Sequence, residues 1–339
     1  MLLSNALRSS TSKGYTSAAV SAHIKRSYMS SANPRQSRWV MPASVLATAG
    51  GLGAAYVMYG QHSLHSTAKA YAEASNPPAA FSPEEFREFT LVDVMPINHN
   101  VSRFRFKLPD GHVSGLHVAS CIFTRHRFKK PDGTEEATMR PYTPTSDEDA
   151  RGYVDFVIKD YPQGKMSRHI HLLKPGDKLE IKGPIPKYNW DQGKKEHVGM
   201  IAGGTGITPM LQLLRKIFGP SSKDNNTKVT LIFGNQTEKD IILKEELDSY
   251  AKSFPNRFKV VYAVDKPTKN WDGHHGYVND ELIKKHLPSP DQPNSIIFVC
   301  GPDAMLASLA GAKAPDKSQG PLNGVLKDMG YPQDHVYKF

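Results

Sequence analysis

The 339-residue chain reads as two folded domains behind an N-terminal membrane helix: an antiparallel β-barrel, then an α/β domain on a parallel sheet. Three observations predict this. Short strands broken by turn signals fill the stretch from Phe81 to about residue 194, the pattern of a small barrel. From about Lys195 the rhythm changes to strands alternating with helices, which requires crossover connections and a parallel sheet. Before both, Trp39–Gly60 carries no charge, and its length as a helix is ~33 Å at about 1.5 Å per residue, enough for a bilayer core.

Taken in order, residues 1–38 are rich in Ser, Ala and Arg/Lys and free of acids, the composition of a mitochondrial import sequence. Residues 39–60 are the anchor, with Pro42 in its first turn, where a missing donor costs little. Residues 61–80 form a linker ending in Asn76-Pro77-Pro78. In the barrel domain, 81–194, strands are expected at Phe89–Val94, Val101–Leu108, Met139–Tyr142, Tyr153–Ile158 and Lys178–Ile181, with turns at Asp110-Gly111 and Asp132-Gly133. One helix opens at Gly164-Lys165-Met166-Ser167, with Ile170, Leu172 and Leu173 on its apolar side. In the α/β domain, 195–339, strands are expected at His197–Ala202, Lys228–Phe233, Phe258–Val264, Ser295–Cys300 and His335–Phe339. Its helices are placed at Pro209–Ile217, Asp240–Ser253, Val278–His286, from Asp303, and at Leu322–Met329.

Composition excludes several classes. Two cysteines, Cys121 and Cys300, make neither a disulfide framework nor a Cys-x-x-Cys metal site. The histidines show no metal-ligand spacing: His169 and His171 diverge on a helix, and His274-His275 reads as a polar loop. The net charge is +10, but six of those charges (Arg8, Lys13, Lys25, Arg26, Arg35, Arg38) precede the first acid, Glu73. The folded body therefore lacks the basic stripe that nucleic-acid binding needs, and no metal and no nucleic acid are expected.

Three motifs carry chemistry. Arg140-Pro141-Tyr142-Thr143-Pro144-Thr145-Ser146 combines a permanent cation, a flat phenol and a hydroxyl on a backbone stiffened by proline. In an extended segment Arg140 and Tyr142 share one face. A cofactor with phosphate and a flat ring needs that kit, although a Pro-rich edge strand or turn would use the same residues. The Gly164–Ser167 helix start offers backbone donors to phosphate, or is an ordinary capped helix. Gly203-Gly204-Thr205-Gly206-Ile207-Thr208-Pro209 lies between a buried strand and a helix, the context in which a glycine loop cradles a dinucleotide.

The order R-P-Y-T-P, G-K-M-S, G-G-T-G-I-T-P and C-G-P resembles the ferredoxin-reductase superfamily, and in detail the membrane-anchored mitochondrial form of the NADH–cytochrome b5 reductase family, over about residues 81–339. The resemblance implies FAD in the barrel, with Arg140 on its pyrophosphate, Pro141 and Tyr142 lining the flavin, Thr143 near its reactive nitrogen, and Lys159 and Tyr161 as further contacts. It implies pyrophosphate contacts from Gly164, Lys165, Met166 and Ser167, with Thr208 near the ring and His99 on the flavin side. It implies NADH on Gly203, Gly204, Thr205, Gly206 and Pro209. Cys300, Gly301, Pro302 and Met305 would lie beside the nicotinamide, with Phe339 near the flavin. Asp240 would accept from the ribose hydroxyls and repel a 2′-phosphate; a helix-start acid is the plainer reading. Many relatives carry Gly-Gln where this chain has Ala119-Ser120, and no flavin role is assigned there.

The implied activity is hydride transfer from NADH to FAD, then single-electron transfer to cytochrome b5 or a similar acidic haem protein. Lys165, Lys187, Lys194 and Lys195 are candidates to steer that partner. Thr143, His99 and Cys300 are the implied catalytic residues. A monomer on a single membrane anchor in the mitochondrion is expected, at the outer membrane, or in the intermembrane space if the anchor is processed. Two alternatives stand beside it: a reductase module for another one-electron acceptor, and a membrane-tethered nucleotide-binding protein without turnover.

Overall fold

Alternation of apolar and charged residues builds the first sheet. In a computed structural model, which describes residues 77–339, β1 (Arg87–Pro96) and β2 (Val101–Lys107) pair antiparallel. On β2, Phe104 and Phe106 are buried while Arg103 and Arg105 face the other side, the period-two pattern of a half-buried strand. β3 (Ser120–Lys129) and β4 (Glu135–Tyr142) form a hairpin whose turn uses Gly133 at φ 82°, a conformation glycine adopts without strain. With β5 (Tyr153–Lys159) and β6 (Lys178–Pro186) the six-stranded order is β4-β3-β6-β1-β2-β5, every pair antiparallel. Its core holds Leu91, Phe104, Phe106, Ile122, Phe156 and Ile181. Helix α1 (Lys165–Leu172) covers this core with Met166 and Ile170. Leu173 packs beside them, but Leu172, expected on the same side, is 68% exposed, because it falls off the 166–170–173 stripe.

The second sheet is parallel throughout, in the order β10-β9-β8-β7-β11-β12. Its strands are β7 (His197–Gly203), β8 (Lys228–Asn235), β9 (Phe258–Val264), β10 (His274–His275), β11 (Ser295–Cys300) and β12 (Val336–Lys338). β7 and β11 are nearly continuous apolar runs because both faces are covered. The helices are α2 (Ile207–Phe218), α3 (Lys244–Ser253), α4 (Asp280–His286), α5 (Asp303–Ala310) and α6 (Val325–Asp328). The chain runs outward from β7 through β8 and β9, then returns to β11 on the other side of β7. That reversal opens a crevice at the carboxyl ends of β7 and β11, where such sheets bind ligands. Val101, Ala119 and Val157 of the first half belong to the same apolar cluster as Met200, Leu214 and Phe233 of the second, so the two halves share a packed junction.

Several expectations are corrected. No helix among the described residues is long and apolar enough to cross a membrane. The described residues form the two sheet domains and hold no membrane helix; the anchor expected at 39–60, with the leader and most of the linker, lies outside them. β3, a central strand, is absent from the sequence reading because Arg125, His126 and Arg127 interrupt its apolar alternation; Arg125 lies between Glu180 and the Phe86 ring. The helix expected from Asp240 starts at Lys244, since Glu238–Asp240 forms a 3₁₀ turn and Leu243 has φ 58°. The helix expected at Leu322–Met329 shortens to Val325–Asp328 behind Gly324 at φ 70°. Ala119 holds φ 58°, the left-handed region that a glycine adopts more easily.

Candidate active site

The cleft lies where the end of the first sheet meets the carboxyl ends of β7 and β11. On its first wall, β4 carries the expected kit. Arg140 is exposed, and its guanidinium donates to the Met139 carbonyl at 2.8 Å; no carboxylate pairs with it among the described residues. Pro141 is exposed, while Tyr142 and Thr143 are partly buried. The Tyr142 ring rests against the first core, and burial pushes its phenol well above the usual range, so it stays protonated. Beyond Thr143, the Pro144 carbonyl accepts from Gln212 at 3.4 Å, and the Thr145 carbonyl accepts from Arg215. Both donors sit on α2 of the other half, and Arg215 is itself held by Glu246 at 2.9 and 3.0 Å. The motif is thus clamped from across the junction.

Helix α1 begins next to this wall. No side chain caps it and its first turn holds no acid, so its leading amides remain available to an anion. The Ser167 hydroxyl closes back on the Gly164 carbonyl at 3.1 Å, and a Cβ on Gly164 would overlap that hydroxyl, so the tight start requires glycine. Met166 is buried beneath, and Lys165 reaches Glu136 at 2.9 Å. A cation, a flat ring and a free helix start suit a dinucleotide bearing a flat ring system, and the Tyr142–Thr143 edge is where that ring would lie.

The second wall is built from glycines. Gly204 holds φ 52° with nothing within 4 Å of a notional Cβ, so the loop presents bare backbone to the cleft. Gly206 touches the Cys300 carbonyl so closely that a Cβ would overlap it. A Cβ on Gly203 would come within 2.5 Å of the Met305 sulfur and 3.0 Å of Pro302. The glycine loop, Cys300-Gly301-Pro302 and Met305 therefore form one tight unit. Thr208, buried in the first turn of α2, bonds the Thr205 carbonyl at 3.1 Å, and Pro209 beside it is also buried. Burial pushes the Cys300 thiol up to about 12, so it remains neutral and serves as a wall. Phe339 stacks on Phe298 at 5.4 Å and bonds the Val299 carbonyl, which brings the C-terminus to the end of β11. Across the cleft, the Tyr161 hydroxyl stands 3.4 Å from that of Thr205, joining the two walls.

Asp240 is buried and bonded within its own turn. Only 8% exposed, it takes the Thr237 amide at 3.0 Å and hydroxyl at 2.6 Å on one oxygen. The other oxygen is 3.7 Å from both Lys159 and His99. Asp265, immediately after β9, is a strand-end carboxylate with no side-chain hydrogen bond among the described residues; its backbone bonds Asn235, and burial raises its pKa. Nearby, β10 leads into Tyr277, 79% exposed, whose ring offers a stacking face. Sequence reasoning missed both. It also missed Gln212 and Arg215, whose partners lie too far along the chain to leave a pattern. Of the steering lysines, Lys165, Lys194 and Lys195 are engaged with Glu136, Asp191 and the Ser295 carbonyl.

Residues 88–190 match the oxidoreductase FAD-binding domain family and residues 200–310 the oxidoreductase NAD-binding domain family. An NADH-cytochrome b5 reductase 2 of Pyricularia oryzae is 49% identical over 287 residues, covering 84% of this chain and 85% of that protein. One from Coccidioides immitis is 46% identical over 315 residues, covering 93% and 95%. Among solved structures, the cytochrome b5 reductase domain of Ulva prolifera nitrate reductase is similar, with TM-score 0.66 and 32% identity over 77% of this chain and 99% of that one. The human Ncb5or CS-b5R domains, 23% identical with TM-score 0.58 over 75% and 69%, share the fold. With both halves of the cleft accounted for, the chain belongs to the NADH-cytochrome b5 reductase family.

Proposed function

We propose that this chain takes a hydride from NADH onto FAD and hands the two electrons singly to cytochrome b5. The observation that carries the reading is the pairing of two unlike walls across the Tyr161–Thr205 contact, one cationic with a free helix start, the other bare glycine backbone. FAD supplies the two-electron to one-electron conversion when bound. Arg140 and the α1 amides hold its pyrophosphate, and Tyr142 and Thr143 orient the ring. The glycine loop holds the NADH diphosphate, and Cys300, Gly301 and Pro302 shape the nicotinamide pocket. Packing of both sheets into one cluster excludes water from the junction. Asp265, free at the end of β9, favours NADH by repelling the extra phosphate of NADPH. The acid-free composition of residues 1–38 supports a mitochondrial location, and the protein acts as a monomer. Anaerobic addition of NADH to the purified yellow protein should bleach it; a colourless protein, or one that keeps its colour, would reject the reading.

A further inference from the structure

The last strand, β12, sets successive side chains on opposite faces of the sheet. Tyr337, with Phe339 just beyond the strand, packs on the junction cluster, and Val336 belongs to the cluster around α5 and α6. Lys338 falls on the α5 side and is 2% exposed, so an ammonium sits where the pattern calls for an apolar side chain. A buried cation costs stability unless its three donors find acceptors. Here they do: Nζ donates to the carbonyls of Ala310 at 3.4 Å, Ala312 at 3.2 Å and Pro321 at 3.0 Å, and no carboxylate pairs with it among the described residues. The loop 311–321 is shaped to offer them. Gly311 at φ 83° and Gly320 at φ 62° turn it back on itself, and a Cβ on the first would come within 2.9 Å of the Pro321 carbonyl, on the second within 3.0 Å of the Ala312 carbonyl. Gln319 closes the open edge of β12, donating to the Lys338 carbonyl at 2.9 Å and accepting its amide at 2.7 Å. The remaining acceptor, Ala310, ends α5, and a cation there suits the negative end of a helix. The same helix carries Met305, whose sulfur packs against Gly203 and Gly301, about 7.5 Å along the axis from Ala310.

We propose that Lys338 is a positioning residue for hydride transfer: its ammonium holds the C-terminal end of α5, and through α5 and Met305 it fixes the Cys300-Gly301-Pro302 wall against which the nicotinamide lies. Lys338 is buried on the opposite face of β12 from Phe339, so it acts only through the protein. Without the charge, three buried carbonyls lose their donor, the loop and the helix end loosen together, and Met305 no longer has a fixed support. The inference rests on the functional reading above only in naming what that wall holds.

The test compares flavin-loaded full-length wild type with Lys338→Met, which keeps the bulk and removes the charge, and with Gln319→Leu, which loosens the same loop while the ammonium stays in place. In hydrogen exchange without NADH, the Leu306 amide, bonded to the Pro302 carbonyl at 3.0 Å, should exchange roughly fivefold faster in Lys338→Met while the amides of β8 do not change. In stopped-flow, the limiting rate of flavin reduction at saturating NADH should fall about tenfold, with flavin content and the NADH concentration giving half that rate within about twofold of wild type. Gln319→Leu should move both readouts the same way by about threefold, and it decides the matter if Lys338→Met does not fold. An unchanged Leu306 amide would overturn the proposal. So would a wild-type limiting rate in a variant whose loop 311–321 exchanges faster, which would leave Lys338 a purely structural cation. Exchange needs no NADH, so failure here is separable from failure of the wild-type protein to be reduced by NADH.

Discussion

The two walls of the cleft solve the same problem, holding a phosphate-bearing dinucleotide, by opposite means. The antiparallel half uses side chains: Arg140 is exposed with no carboxylate partner among the described residues, Tyr142 offers a ring, and one short helix contributes its start. The parallel half uses the absence of side chains, with Gly203, Gly206 and Gly301 packed so tightly against Met305 and Cys300 that added atoms have nowhere to go. The difference teaches where each half is fragile. Side-chain contacts are lost one at a time, each costing its own share. A backbone cradle fails as a unit, because one extra carbon displaces the loop and the strand end together.

The sharpest way to break the comparison is Gly206→Ala. Its Cβ would overlap the Cys300 carbonyl, which is backbone and cannot rotate away. Overpacking of this kind costs about 1–3 kcal/mol or more. We expect NADH reduction of the flavin to fall by at least about 100-fold with flavin content intact, measured by stopped-flow. Loss of flavin instead would mean that the two walls are not separable.

Arg140→Ala is the matching test on the other wall. It removes a charge-assisted contact worth about 1.5–3 kcal/mol, so flavin affinity should fall about 10- to 150-fold while the sheet stays folded. Occupancy after dialysis reads this directly, and full retention would displace Arg140 from the phosphate.

A smaller effect is expected at Asp265. Two like charges at about 4 Å repel by ~4 kcal/mol at an effective dielectric near 20, and screening leaves part of that, so Asp265→Thr should raise the NADPH/NADH ratio of kcat/KM by about tenfold. An unchanged ratio would place nucleotide choice elsewhere on the parallel half.

How much of this was legible in the sequence follows the same division. The glycine loop and C-G-P could be read because backbone cradles need glycine at fixed positions, and the strand–helix rhythm gave them their context. The Arg140 segment could be read as a kit of residue types. What could not be read was contact between distant segments. β3 was missed because Arg125 and His126 interrupt its alternation and find partners on β6 and α1. Asp240, expected at a helix start, instead closes the Glu238–Asp240 turn on Thr237, with Lys159 and His99 at 3.7 Å, contacts that leave no pattern in the sequence.

The smallest effect concerns pH, and it falls on the side-chain half. His126 and His169 stack at 3.5 Å between ring centres, joining β3 to α1. Burial, then the neighbouring His126, lowers His169 to about 4 from an ordinary 6.5. A depressed histidine favours the neutral ring in the folded state, so the unfolded chain binds more protons between those values. Stability is therefore complete above about pH 6.5 and declines as pH falls toward 4. Thermal unfolding of the purified protein should show this decline, and His169→Phe should flatten it; an unchanged slope would remove His169 as its source.

The central claim is that the two walls form one electron path from NADH to cytochrome b5. The most direct measurement is an anaerobic titration of the flavin-loaded protein with NADH in the presence of excess oxidised cytochrome b5, following flavin and haem together. The account predicts transient bleaching of the flavin and two cytochromes reduced per NADH consumed. Consumption of NADH with no reduction of the haem, or no bleaching at all, would contradict it.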